Sequence, residues 1–174
     1  MELLIVRHAI AAERNARRWP DDIERPLTAR GRQRAQRAAA GLRRIAPYPA
    51  RVLASPLART RETAAILRQF AGWPEASDCA LLQPGGSAQA LLKHLARYRE
   101  RCVALVGHEP DLGRLLTLCL PGPSRAGAIE LRKMGVALLA FPGAPRAGSG
   151  TLLWLLSPKL LRLARRLPVR SKGA

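Results

Sequence analysis

Three times along this chain a short run of β-forming apolar residues ends in a tight turn and hands over to a segment of helical periodicity, an alternation that neither an all-helical nor an all-β architecture accommodates. Glu2 to Val6 (ELLIV) is too short for a helix and reads as a buried strand, with Arg7 and His8 at its carboxyl end. From Thr28 to about Ile45 the residues Ala35, Ala38, Ala39 and Leu42 recur at helical spacing, with Thr28 as N-cap and Pro47 beyond the stop. Arg51 to Ala54 is a second strand, after which Ser55-Pro56 reads as an N-cap with proline at the first helical position, opening a helix to about Gly72. A strand near Cys79 to Leu82, a Pro84-Gly85-Gly86 turn, a helix from Ser87 to about Tyr98 and a strand from Cys102 to Val106 continue the cycle, and Pro110 starts the next helix. Beyond Pro121-Gly122-Pro123 the pattern changes to strands at about Ala128 to Arg132, Val136 to Phe141 and Thr151 to Leu156.

The expected fold is therefore α/β: a doubly wound, mostly parallel sheet flanked by helices on both faces, over residues 1–157, with a basic C-terminal helix and tail at 158–174. The chain of 174 residues has no room for a large cap domain. Ligands of such sheets sit beyond the carboxyl ends of the strands, where His8, Arg59 and Gly107-His108 would converge.

Thirty Lys and Arg against twelve Asp and Glu give a formal net charge of +18, and the pI is about 11.7. Such a field concentrates anions and favours acidic partners. The plainer alternative is an Arg- and Ala-rich composition inherited from a GC-rich genome, with arginine spread over solvated helix faces. Specific nucleic-acid binding is not expected, because the basic residues do not interleave with aromatics and no zinc-finger spacing is present. Cys79, Cys102 and Cys119 are scattered and odd in number, which speaks for buried thiols rather than a disulfide framework. No apolar run approaches the roughly 20 residues of a membrane span, and the N-terminus carries no cleavable signal, so a cytoplasmic location is expected.

A phosphoryl group carries about two negative charges, and its transfer calls for cations on its oxygens and an in-line nucleophile. Arg7, Arg59 and His108 can supply the first and His8 the second. Imidazole attacks only when neutral, and its far ring nitrogen must be held so that the near one presents a lone pair. The planar guanidinium fork grips two phosphate oxygens at once. Taken singly, a histidine at a strand end is usually structural and an arginine near a helix start usually solvated; the conjunction is what points to phosphoryl chemistry.

Four blocks, Leu3-Leu4-Ile5-Val6-Arg7-His8-Ala9, Asp22 to Gly31 (DIERPLTARG), Ser55-Pro56-Leu57-Ala58-Arg59-Thr60 with Thr63-Ala64, and Val106-Gly107-His108-Glu109-Pro110-Asp111-Leu112, span residues 3 to 112. In order and spacing they resemble the histidine phosphatase superfamily, whose fold is phosphoglycerate mutase-like, and within it the short bacterial phosphohistidine phosphatases. The resemblance implies that His8 is the nucleophile, that Arg7, Arg59 and His108 complete the phosphate pocket, and that no cofactor or metal is needed. The three histidines also lack an HxxxH or CxxC arrangement. The family's commonest signature has glycine where this chain has Ala9, which would be costly if a positive φ were required there.

The general acid is a further departure. Longer relatives place a glutamate in the loop after the third strand, and Leu81-Leu82-Gln83-Pro84-Gly85-Gly86 has no carboxylate. Asp22, Glu24 and Asp111 are the remaining candidates, although Asp22 and Glu24 could simply pair with arginines and Asp111 could serve a helix first turn. An alkoxide leaving group needs a proton, an effect worth about 10²- to 10⁴-fold, whereas a phosphoramidate releases a better leaving group. The expected activity is thus that of a phosphatase working through a covalent phosphohistidine on His8, with protein phosphohistidine, for example a phosphotransfer domain of a signalling relay, as substrate. The alternatives are a small-molecule or polyphosphate phosphatase and a non-catalytic module that binds phosphate or a phosphoprotein. His94 falls mid-helix beside Lys93 and reads as surface or packing. The stretch Pro158 to Arg170 fits an amphipathic basic helix, either packed on the sheet edge or docking an acidic protein, polyphosphate or a membrane surface.

Overall fold

The odd and even residues of the first strand face different cores. In the computed structural model, which describes residues 1–122 and 129–168, strand β1 (Glu2–Arg7) sends Leu4 and Val6 into one apolar cluster and Leu3 and Ile5 into another, all completely buried. That two-sided burial is why ELLIV shows no polar alternation: a central strand has no wet face. Around it runs a six-stranded sheet in the order β3-β2-β4-β1-β5-β6, with β2 at Arg51–Ala54, β3 at Ala76–Asp78, β4 at Cys102–Gly107, β5 at Val136–Ala140 and β6 at Thr151–Leu156. The pairings β3·β2, β2·β4 and β4·β1 are parallel, and β5 and β6 add on antiparallel.

Helices α1 (Ala29–Ile45) and α2 (Ala58–Ala71) cover one face, and α3 (Ala88–Leu95) and α4 (Asp111–Cys119) cover the other. Helix α1 begins as its sequence suggests: the Thr28 hydroxyl accepts from the Gly31 amide, and Ala35, Ala38, Ala39 and Leu42 form its buried stripe. A small-residue stripe lets the helix lie close to the sheet, with no large side chain holding it off. Helix α5 (Pro158–Ala164) packs across α1, with Leu161 fully buried and its carbonyl directly over Gly41. The basic segment expected to reach Arg170 therefore leaves the helical state at Ala164 and rests on a helix rather than on the sheet edge; its last two residues lie outside the described stretch.

Four local expectations are corrected. The third strand lies at Ala76–Asp78, ahead of the apolar run, and Ala80–Leu82 forms a 3₁₀ turn. Cys79 and Leu82 are apolar because they pack into the second cluster, whereas the edge strand itself is held by backbone pairing to Val52–Ala54 and needs little apolar signal. Helix α2 starts at Ala58, not at Pro56, because the Ser55 hydroxyl is engaged elsewhere. Helix α3 closes at Leu95; Arg97 and Tyr98 follow in tighter turns, and the Tyr98 hydroxyl meets His94 Nε2 at 2.9 Å, which makes His94 a packing residue. Residues 129–132 form no strand, and Ala128 lies outside the described stretch. The Leu131 amide and carbonyl are taken by the side chains of Glu109 and Arg7, which leaves no backbone ladder to build. All three cysteines are buried free thiols, and among the described residues no helix is long and apolar enough to cross a membrane.

A Cβ on Gly41 would fall 1.8 Å from the Leu161 carbonyl oxygen, a backbone atom that cannot swing aside. Gly41→Ala is expected to loosen α5 from α1 and cost about 1–3 kcal/mol in urea unfolding; an unchanged midpoint would show that the two helices do not meet there.

Candidate active site

Parallel pairing lines up the strand ends. Arg7 is in register with Gly107, and Ala54 with Val106, so the residues just past each strand, His8, His108 and Ser55, emerge side by side. The His8 amide donates to the Gly107 carbonyl at 3.0 Å and the Ser55 amide to the Val106 carbonyl at 3.0 Å, which carries the ladder one step beyond the strands. As a result the rings of His8 and His108 lie 5.1 Å apart, centre to centre, tilted by 55°. Both are buried, as is Arg59 from the first turn of α2.

The His8 loop is braced on three sides. Thr63 of α2 accepts from the Ala9 amide at 3.0 Å. Thr28 bonds the Ile10 carbonyl through its own amide, and a Cβ on Gly31 would sit only 2.1 Å from that carbonyl oxygen, so glycine is what allows α1 to start this close. On the third side the Met134 amide donates to both the Arg7 and His8 carbonyls at 3.1 Å. Met134 has φ of 65°, a left-handed conformation that a side chain with a Cβ adopts only when its surroundings demand it. Ala9, by contrast, is not among the positive-φ residues, so the glycine usual in the family's signature is not required by the backbone here.

His8 Nδ1 lies 2.7 Å from the Ala9 carbonyl oxygen, which can only accept; the proton is therefore on Nδ1 and the lone pair on Nε2. Burial, reinforced by the charges of Arg59, Arg7 and Lys133, lowers the His8 pKa to about 4 against the opposing pull of the Ala9 hydrogen bond. Burial and the neighbouring His8 and Arg59 take His108 down to about 3. Its Nε2 meets the Ser55 hydroxyl at 2.9 Å. Both rings are neutral at pH 7.

The arginines are held but not satisfied. Arg7 Nη1 donates to the Leu131 carbonyl at 2.6 Å and to Glu130 at 3.1 Å, and Arg59 donates to the Asp22 carbonyl at 2.9 Å and pairs with its carboxylate at 3.0 Å. The Nε of each is nevertheless buried without a hydrogen-bond partner among the described residues. Two buried guanidinium donors without acceptors and two neutral imidazoles leave this end of the sheet desolvated and short of negative charge. No three His, Cys, Asp or Glu side chains among the described residues come together as a metal-ligand set.

A family model described as histidine phosphatase superfamily (branch 1) matches residues 3–81. An uncharacterised protein of Picosynechococcus sp. is 36% identical over 167 residues, covering 92% of this chain and 99% of its own. The chain belongs to the histidine phosphatase superfamily. Among solved structures, the protein histidine phosphatase SixA complexed with tungstate superposes with a TM-score of 0.80 at 26% identity, covering 92% of this chain and 99% of that one. The SixA protein of Agrobacterium tumefaciens gives 0.74 at 22% identity, covering 90% and 97%, a likeness of fold. This histidine phosphatase thus has the mostly parallel, phosphoglycerate mutase-like sheet of the short SixA proteins, with no large cap over it.

The three candidate acids part company here. Asp22, in a 3₁₀ turn at Asp22–Glu24, lies against Arg59 and Arg25; although burial pushes its carboxyl up, the Arg25 bond and the arginine charges outweigh this and hold it down. Glu24 is exposed. Asp111 accepts from the Gly85 amide at 2.8 Å and pairs with Arg114 at 3.0 Å, tying the Pro84–Gly86 turn to α4. Sequence reasoning passed over Glu109, whose carboxylate accepts from Leu131 and Gly113 while burial raises its pKa. It also passed over Ser55, Thr63 and Met134. Glu109, Ser55 and Thr63 left a trace, by lying inside the quoted blocks; Met134 left none.

Because both histidine shifts are downward, the unfolded chain binds protons that the native one refuses; stability is fully present above pH 6.5 and falls as pH drops toward about 4. Ring-proton NMR shifts of His8 and His108 are expected to stay flat from neutral pH to roughly pH 5. A midpoint near the ordinary histidine value would contradict the buried, neutral pair.

Proposed function

We propose that this histidine phosphatase hydrolyses protein phosphohistidine by way of a covalent phosphoryl group on His8. The observation that carries the reading is the pair of buried, unpartnered Nε–H donors of Arg7 and Arg59 around an imidazole whose tautomer the Ala9 carbonyl dictates. A tetrahedral oxyanion satisfies those donors, and tungstate, found on the SixA neighbour, is one. His8 Nε2 attacks phosphorus in line, the bond to the substrate imidazole breaks, and its electron pair returns to the leaving nitrogen. Arg7 and Arg59 stabilise charge on the equatorial oxygens. With the Ser55 hydroxyl donating to His108 Nε2, the other nitrogen of that ring carries a proton to offer a phosphoryl oxygen. Water then attacks phospho-His8, releasing phosphate and restoring the neutral ring.

The first step exchanges one phosphorus–nitrogen bond for another. Its leaving imidazole departs neutral when its far nitrogen is protonated, so the step needs no enzyme acid. None of the three candidate carboxylates is set up to be one: Asp22 is held ionised, Asp111 is committed to Gly85 and Arg114, and Glu24 is exposed; Glu109, whose pKa burial raises, has its two oxygens taken by the Leu131 and Gly113 amides. Asp22 reads instead as the counter-ion of Arg59. The fold carries no large cap over the strand ends, which supports a phosphate borne by a folded protein over a small metabolite.

Incubation with a phosphohistidine protein is expected to leave acid-labile phosphate on the wild-type enzyme and none on His8→Ala, with kcat/KM reduced roughly 10⁴-fold or more. Binding without turnover in the wild type would identify a phosphate-holding module instead. Alkyl phosphates should react about 10²- to 10⁴-fold more slowly than phosphohistidine, for want of a proton donor. Asp22→Asn is expected to keep the phosphohistidine rate within about threefold, because an ionised carboxylate donates no proton; a loss of several hundredfold in kcat would make Asp22 the missing acid.

A further inference from the structure

The turn that braces the nucleophile also builds a second cavity. Of about 270 Å³, it is walled on one side by Ala9 and Ile10, the two residues directly after His8, and elsewhere by Arg34 of α1, Arg132 and Lys133 of the 132–135 turn, and Lys159 and Arg162 of α5. No carboxylate among the described residues lines it. None of the five cations forms an ion pair among the described residues, although arginines elsewhere, such as Arg32, Arg51 and Arg114, do. A larger cavity, of about 650 Å³ between α2 and β3, has its charges balanced, Arg61 against Asp78 and Arg68 against Glu75. Arg162 is partly buried, and desolvation together with the Arg34 and Arg37 charges pulls its pKa down, the mark of cations crowded without relief.

Five like charges around one small volume repel one another, and only an anion entering it turns that repulsion into attraction. Three separate elements contribute them around one recess, rather than along a track for a linear polyanion to follow. Ile10 is two residues from His8, within about 7 Å of backbone, so a single ligand can reach both this cavity and a phosphoryl group on His8.

Resting on the phosphohistidine reading, we propose that this cavity is a specificity subsite that takes the carboxylates of an acidic segment flanking the phosphohistidine of the protein substrate. The site then reads two features of its partner: the phosphoryl group at Arg7, His8, Arg59 and His108, and aspartate or glutamate a few positions away at Arg34, Lys159 and Arg162. Such a contact acts mainly on encounter and binding, and it weakens with salt.

Two phosphohistidine peptides decide the matter, one with Asp and Glu at the two to four positions beside the phosphohistidine, the other with Ser and Gln there. The wild type is expected to prefer the acidic peptide through KM, less so at high salt. In the variant Arg34→Gln/Lys159→Gln/Arg162→Gln, KM for the acidic peptide should rise roughly tenfold at unchanged kcat, while the neutral peptide stays within about twofold. Lys159→Glu, an exposed single change, should act in the same direction should the triple variant fold poorly. Equal KM values for the two peptides in the wild type, or equal losses on both in the variants, would overturn the subsite. Anisotropy with the unphosphorylated acidic peptide gives a readout independent of turnover: affinity should fall roughly tenfold in the triple variant. Absence of all turnover would sink the phosphatase reading while this binding result still decides the subsite. Tight binding of polyphosphate with no measurable affinity for the acidic peptide would overturn the proposal.

Discussion

A hydrogen bond from the His8 amide to the Gly107 carbonyl extends the central parallel ladder one residue past its strands, and the active-site geometry depends on that extension. It sets the register in which two histidines, 100 residues apart in sequence, leave the sheet next to each other. A slip of one residue would turn either imidazole to the opposite face of the sheet, since side chains alternate along a strand. β1 and β4 are buried on both faces, so this register lies in the dry centre of the sheet with Leu3, Leu4, Ile5 and Val6 all out of water.

Around that frame the electrostatics are deliberately incomplete. Two guanidinium groups and two imidazoles share a space from which water is largely removed, and the imidazoles respond by giving up their protons. The arginines cannot, so Asp22, Glu130 and backbone carbonyls meet part of their demand and leave each Nε without a partner. An oxyanion placed against these donors would relieve that shortage of acceptors, which is the electrostatic basis of the proposed phosphoryl site. The antiparallel arrival of β5 brings the 132–135 turn to the same rim, where Met134 supports His8 and Arg132 and Lys133 extend the positive field outward.

Much of this was legible in the chain. The strand, turn and helix alternation pointed to the α/β sheet, the Thr28 cap and alanine stripe to α1, and Arg7, His8, Arg59 and His108 were singled out as candidates by their places near strand ends and by resemblance. What misled was apolarity taken as pairing. Cys79 to Leu82 is apolar because it packs, while the real edge strand beside it is half polar and rests on backbone bonds. Ser55 has the look of a helix cap, yet its hydroxyl goes to His108. Residues 129–132 have strand-like composition, but Arg7 and Glu109 claim their backbone groups.

Local pattern thus determined which segments become strands and helices and which residues could meet a phosphoryl group, because periodicity and turn chemistry act within a few residues of each other. Tertiary structure alone decided the charge of His8, the pairing of Asp22 with Arg59, the support from Thr63 and Met134, and the basic cavity beside the His8 loop. Each of these depends on desolvation and on partners brought from distant parts of the chain, and neither is written in any short stretch of sequence.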